Sequence, residues 1–314
     1  MYDTFITVVQ TLISLSLLMG MGYAAGKTGI INEVRSAGLA DILIKVALPC
    51  VVITSMKEPF SAELARGGVT VFVASTVIYG LSMAAGMLLS RLLRVKITDA
   101  GVWIFAATFS NLGYMGIPVM QSVFKDNSTI MFYTMIYNAS FNIYSTTVGI
   151  AAMRNGAKFW RKTEGDKVKK DINLLPIFTL IGLALFLFSL DLPGPVDTAL
   201  KTGGSLTTPL SMIIIGGMFA RNDLRKVVTV GRGYILIALR LLVLPVIVFF
   251  IASPIISDKD VLAVLVLLTA MPVAAVTAIF AAKYKANSDL ASRFVVLSTV
   301  LSVATIPVIS LLLG

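Results

Sequence analysis

Three asparagines, one acid–base pair and one arginine stand inside long apolar runs of this sequence, where polar side chains are costly and mark candidate sites. Asn111 lies in Phe109-Ser110-Asn111-Leu112-Gly113-Tyr114-Met115-Gly116-Ile117-Pro118. Its amide can donate to a carboxylate and accept from a hydroxyl, which suits an organic anion; capping of nearby backbone is the alternative. Asn138 and Asn142 are four residues apart and so share one helical face, where they serve either a ligand or interhelical hydrogen bonds. Thr277, Ser298, Thr299 and Ser302 add hydroxyls in the second half of the chain, and Tyr114 with Met115 offers either apolar walls or packing alone. Asp41 and Lys45 are also four apart, acid first, the favourable order for a helical ion pair; a proton-linked switch is the other reading. Arg240 does not deprotonate, so within a span it needs an anionic or carbonyl partner. It either anchors helix ends by snorkelling or draws an anion inward. With no histidine and a single cysteine, Cys50, the chain excludes His/Cys zinc sites, His-based acid/base pairs and a disulfide framework. No metal or cofactor is expected, although sodium held by carbonyls and hydroxyls, or a proton on Asp41, stays open as a coupling ion.

The elements that position these groups are membrane helices. The 314 residues are 57% apolar and 13% charged, with a mean hydropathy of +0.91. Apolar runs long enough for a hydrocarbon core of about 30 Å predict ten spans: 4–25, 37–56, 67–93, 101–124, 130–153, 173–190, 199–220, 231–256, 260–284 and 289–313. Gly113, Gly116 and Pro118 in the fourth span predict a broken helix at mid-membrane. Pro272, followed by Val273, stands at the same depth of the ninth span, which lacks glycines there and either breaks or only kinks. Broken helices meeting at one depth would present half-helix N-termini, with their partial positive charge, to a common point. Such a point binds anions.

A net charge of +10 raises the question of nucleic acid, but the basic residues sort by loop. Lys57, Arg66, Lys125, Lys201 and Lys259 fall on one side, Lys45 and Arg240 lie within spans, and the remaining 19 of 26 fall on the other. Basic loops stay cytoplasmic, so both termini are expected outside a cytoplasmic membrane, with lipid and no nucleic acid as macroscopic partner. The hydrophilic stretch 154–172 reads as a cytoplasmic linker between residues 1–153 and 173–314. Five spans on each side make the second half inverted relative to the first, and Pro49/Pro209 and Pro118/Pro272 recur at similar offsets.

The segment from Asn111 through Met115-Gly116-Ile117-Pro118 resembles the fourth-span crossover of the auxin efflux carrier family. Gly22-Tyr23 to Gly29, Ala47-Leu48-Pro49, Met271-Pro272, Phe280-Ala281-Ala282-Lys283-Tyr284, Asp289-Leu290-Ala291 and Leu297-Ser298-Thr299 are similar to bacterial members. The resemblance implies an all-α fold of ten helices as a five-plus-five inverted repeat, related to bile acid sodium symporters. It also implies a homodimeric scaffold of spans 1, 2, 6 and 7, with spans 3–5 and 8–10 moving as an elevator. The implied activity is transport of a small organic anion such as malate, malonate or auxin. Ser110, Val273-Ala274 and the short linker depart from the plant pattern and weaken the case for auxin. A membrane sensor for the same ligand is the alternative. Nothing in the sequence supports an intramembrane enzyme.

Overall fold

The computed structural model describes residues 2–125, 127–155 and 175–313. Among them the regular structure is helical apart from one isolated antiparallel bridge between Ser110 and Val273. Six helices are long and apolar enough to cross a membrane: α1 (Tyr2–Lys27), α2 (Glu33–Ser55), α3 (Ala62–Leu92), α8 (Gly194–Arg221), α9 (Gly233–Ala252) and α12 (Ser288–Ser310). Between them lie α4 (Ile97–Thr108), α5 (112–123), α6 (128–155), α7 (Leu175–Leu187), α10 (Lys259–Ala270) and α11 (Val276–Lys283). The linker expected at 154–172 lies, from residue 156 onward, outside the described residues.

Several helices begin before the apolar run does, because a polar residue caps the first turn. Asn32 Oδ1 accepts from Arg35 N–H and Ser61 Oγ from Leu64 N–H, so α2 and α3 start about a turn earlier than hydropathy indicates. Asn127, Asp258 and Asn287 cap α6, α10 and α12 in the same manner. Three of the four wide helical stretches among the described residues stand just before a proline, the fourth being Ser145–Gly149 in α6. Pro49, Pro118 and Pro245 each follow a five-residue π-helical stretch, at Leu43–Ala47, Leu112–Gly116 and Leu239–Val243. The proline ring collides with the carbonyl four residues back, and in each case that residue, Lys45, Tyr114 or Leu241, lies in the wider turn. A ring that would otherwise break the helix is thereby accommodated.

Burial separates two kinds of helix. Every residue of α4 from Ala100 to Thr108 is buried, as is every residue of α10 from Ala263 to Ala270. In the best membrane windows of α1, α2 and α3 only 28%, 33% and 39% of residues are buried. The long helices therefore present an apolar face outward, and α4 and α10, apolar all round, fill the middle. Non-helical backbone at membrane depth is tolerated only when enclosed by protein, and these two enclosed helices are the ones that stop short. Against them, α1 and α8 cross closely. A Cβ added at Gly22 would overlap the carbonyl of Ile213, and one at Gly216 the carbonyl of Met19.

Candidate functional site

Helix α4 ends at Thr108 and α10 at Ala270, and the chain is extended just beyond both, at Phe109 and at Met271. The two loose ends pair with each other. Asn111 N–H donates to Pro272 O at 2.8 Å and Ala274 N–H to Phe109 O at 3.0 Å, on either side of the Ser110–Val273 bridge. Backbone groups that would be orphaned in hydrocarbon are satisfied across the break. Both breaks thus form, including the one without glycine. Gly113 and Gly116 do not supply unusual dihedrals: they lie in the π-helical stretch after the break, and only Gly29 and Gly231 among the described glycines have positive φ. Phe109, Ser110 and Asn111 make the turn instead.

Asn111 joins the halves. Its carbonyl accepts from Met115 and Gly116 N–H at 3.2 and 2.8 Å, starting α5, and its Oδ1 accepts from Ala275 N–H at 3.4 Å, at the start of α11. Its Nδ2 is buried and has no partner. On α6, Asn138 is 3% exposed, and its Nδ2 also lacks a partner, while its backbone carbonyl accepts from Asn142 Nδ2 at 2.8 Å. Asn111, Gly113, Tyr114, Asn138 and Asn142 all line one cavity of about 870 Å³, large enough for a small organic molecule. Its walls include Leu48, Phe141, Ala274, Ala275, Val276 and Phe280, and Lys45, Arg154 and Lys283 also line it.

The other residues singled out by sequence stand behind or beside this cavity. Pro272 and Val273 supply the backbone pairing, and Ser298 Oγ accepts from Val273 N–H at 3.0 Å while donating to Val295 O. Thr277 is buried with Oγ1 unpartnered, next to the cavity-lining Val276. Thr299 donates to Val295 O, and Ser302 contacts Met115 Sδ at 3.8 Å. Gly116 and Pro118 lie in the buried start of α5, outside the lining. Asp41 and Lys45 pair at 2.9 Å with side chains 64% and 58% exposed, Lys45 reaching the cavity and Asp41 not. Cys50 is half-buried against Gly203. Arg240 is 1% exposed, so it does not snorkel; its guanidinium meets carbonyls at both helix ends.

Sequence reasoning missed Phe141, Thr146 and Ile150, which extend the face of Asn138 and Asn142 along α6 and line the cavity. Helical steps of three to four residues, from Asn138 to Phe141, Asn142 to Thr146 and Thr146 to Ile150, are the available signal. By sequence, Arg154 bears on orientation and Lys283 on orientation and the family resemblance, yet both border the same space.

The family model for "Membrane transport protein" matches residues 7–173 and 166–310. The chain belongs to this family. It is an auxin-efflux-carrier-like transporter, as the Asn111-to-Pro118 segment indicated, and not an enzyme. An "Uncharacterized transporter" of Methanothermobacter thermautotrophicus is 25% identical over 315 residues, covering 98% of this chain and 99% of that protein. A "Putative malonate transporter" of Rhizobium meliloti is 23% identical over 274 residues, covering 85% of this chain and 84% of that protein.

Proposed function

We propose that this transporter carries a small organic anion, with a carboxylate such as malonate or malate as the working class, through the cavity at the paired helix breaks. The observation that carries the reading is the pair of buried, unpartnered amide donors, Asn111 Nδ2 and Asn138 Nδ2, on two residues that line one cavity. A buried donor without an acceptor is costly, and a carboxylate supplies acceptors for both. The first turns of α5 and α11 begin beside the same cavity, at Gly113 and Tyr114 and at Val276, so the positive ends of both helix dipoles lie there. The name of the Rhizobium relative agrees with a dicarboxylate.

The architecture belongs to the same proposal: ten spans in two inverted halves of five, with α4/α5 and α10/α11 as the crossover helices of the fourth and ninth spans. Arg154 and Lys283, at the ends of α6 and α11, fall on the basic side, so the cavity opens toward the cytoplasm and both termini face out. Spans 1, 2, 6 and 7 form the static, dimerising scaffold. The remainder moves as an elevator, and the close α1–α8 crossing, rigid at Gly22 and Gly216, suits the static part. The test is malonate uptake into proteoliposomes. Asn111→Ala is expected to lower it by roughly tenfold to a hundredfold, the worth of one hydrogen bond to a charged group. Uptake equal to the wild type would remove Asn111 from the site.

A further inference from the structure

Arg240 is the largest fully buried side chain of the described protein, and it faces carbonyls instead of a carboxylate. Its Nη1 donates to Ala107 O at 3.3 Å and Thr108 O at 3.4 Å, the last two residues of α4. Its Nε donates to Met271 O at 3.4 Å, one residue past the end of α10. Nη2 has no partner, and among the described residues no ion pair includes this arginine. One guanidinium therefore closes the C-terminal ends of both incoming half-helices.

The charge arithmetic is simple. A helix carries about −0.5 elementary charge at its C-terminus and about +0.5 at its N-terminus. At each break an incoming negative end faces an outgoing positive end, and on their own the two would cancel. Arg240 offsets about −1 from α4 and α10, which leaves about +1 from the starts of α5 and α11 unopposed at the cavity wall.

Resting on the carboxylate reading above, we infer that Arg240 is a specificity-determining residue that gives the cavity its preference for anions over neutral ligands, acting through the backbone without touching the ligand. From Thr108 to Asn111 the chain spans at most about 10 Å. With a hydrogen bond added at each end, a unit charge about 10–15 Å from the ligand, at an effective dielectric of about 20, changes anion binding by roughly fivefold to twentyfold.

The experiment measures binding of malonate and of its uncharged diamide, malonamide, to the purified full chain, for the wild type, Arg240→Gln and Arg240→Lys. Arg240→Gln keeps a donor and loses the charge. It is expected to weaken malonate binding roughly fivefold or more and to leave malonamide within about twofold. Arg240→Lys keeps the charge and loses the fork, so it should melt at a lower temperature yet retain the preference for malonate. Equal weakening of both ligands by Arg240→Gln would reduce Arg240 to a clamp on the helix ends and overturn the inference, as would unchanged malonate binding. Should Arg240→Gln not melt cooperatively, Arg240→Lys decides, because loss of its malonate preference overturns the proposal and retention supports it. A wild type that binds neither ligand removes the carboxylate reading and this inference together, whereas a wild-type preference that survives in Arg240→Gln removes the inference alone.

Discussion

The two helix breaks differ in what holds them. The first, after Thr108, supplies its own organiser: Asn111 starts the next helix with its carbonyl, and its Nδ2 is buried without a partner. The second, after Ala270, has no polar side chain between Met271 and Val276 and borrows most of its support. Ser298 Oγ takes Val273 N–H, Asn111 Oδ1 takes Ala275 N–H, Phe109 O takes Ala274 N–H, and Arg240 takes Met271 O. The difference teaches that a break needs partners and does not need glycine. Asn111 reaches both breaks from within the first, as Arg240 does from outside them.

The largest expected effect separates the two jobs of Asn111. Asn111→Asp keeps an acceptor for Ala275 N–H and replaces the Nδ2 donor with a charged oxygen facing the ligand. Malonate uptake is expected to fall by about a hundredfold or more, since a lost charged hydrogen bond and a like-charge repulsion act together, while folding is retained. Asn111→Ala is expected to lose both, with flux down and the melting temperature lowered. Equal melting of Asn111→Ala and the wild type would mean that the second break does not depend on the first. Asn138→Ala touches neither break and removes only a cavity donor, so uptake is expected to drop roughly tenfold with melting little changed.

A smaller effect tests the borrowed supports directly. Ser298→Ala leaves Val273 N–H buried without an acceptor, and a loss of about 1–3 kcal/mol in stability follows from that orphaned group. Ser110→Ala is its counterpart in the first break. Ser110 Oγ is buried with no hydrogen bond, so its removal is expected to shift stability by less than about 0.5 kcal/mol, or to raise it slightly. Chemical denaturation in detergent measures both. Similar losses in the two variants would contradict the asymmetry between self-organised and borrowed support.

Much of this was legible in the sequence, for reasons tied to particular residues. Proline and glycine inside apolar runs point to the neighbourhood of the breaks, because their backbone chemistry is local. Asn138 and Asn142 are readable as one face from spacing alone. What joins distant segments was not legible. The partner of Asn111 Oδ1 lies 164 residues away, and those of Arg240 lie 31, 132 and 133 residues away. No periodicity records such pairings. Sequence alone leaves Arg240 between snorkelling and substrate attraction, whereas in the fold it braces two carbonyl ends. Glycine in the first break was over-read for the same reason: residue type suggested an unusual dihedral where pairing with Pro272 and Ala274 supplies the geometry.

The smallest expected effect concerns that last point. If glycine made the first break possible, Gly113→Ala would strain it; if pairing across the bridge makes it possible, a methyl group there costs little. An added Cβ at Gly113 would lie 3.5 Å from Leu48 Cδ1, an ordinary contact, and the residue needs no positive φ. Removing glycine from a helical turn also lowers the entropy of the unfolded chain, worth about 0.4–1 kcal/mol where the conformation is compatible. Gly113→Ala is therefore expected to melt at or slightly above the wild-type temperature. Gly116→Ala meets Leu268 Cδ2 at 3.2 Å and Leu112 Cδ2 at 3.3 Å, so it should gain less or lose a little. A marked loss at Gly113 would restore glycine to the mechanism of the first break and leave the glycine-free second break as the exception needing explanation.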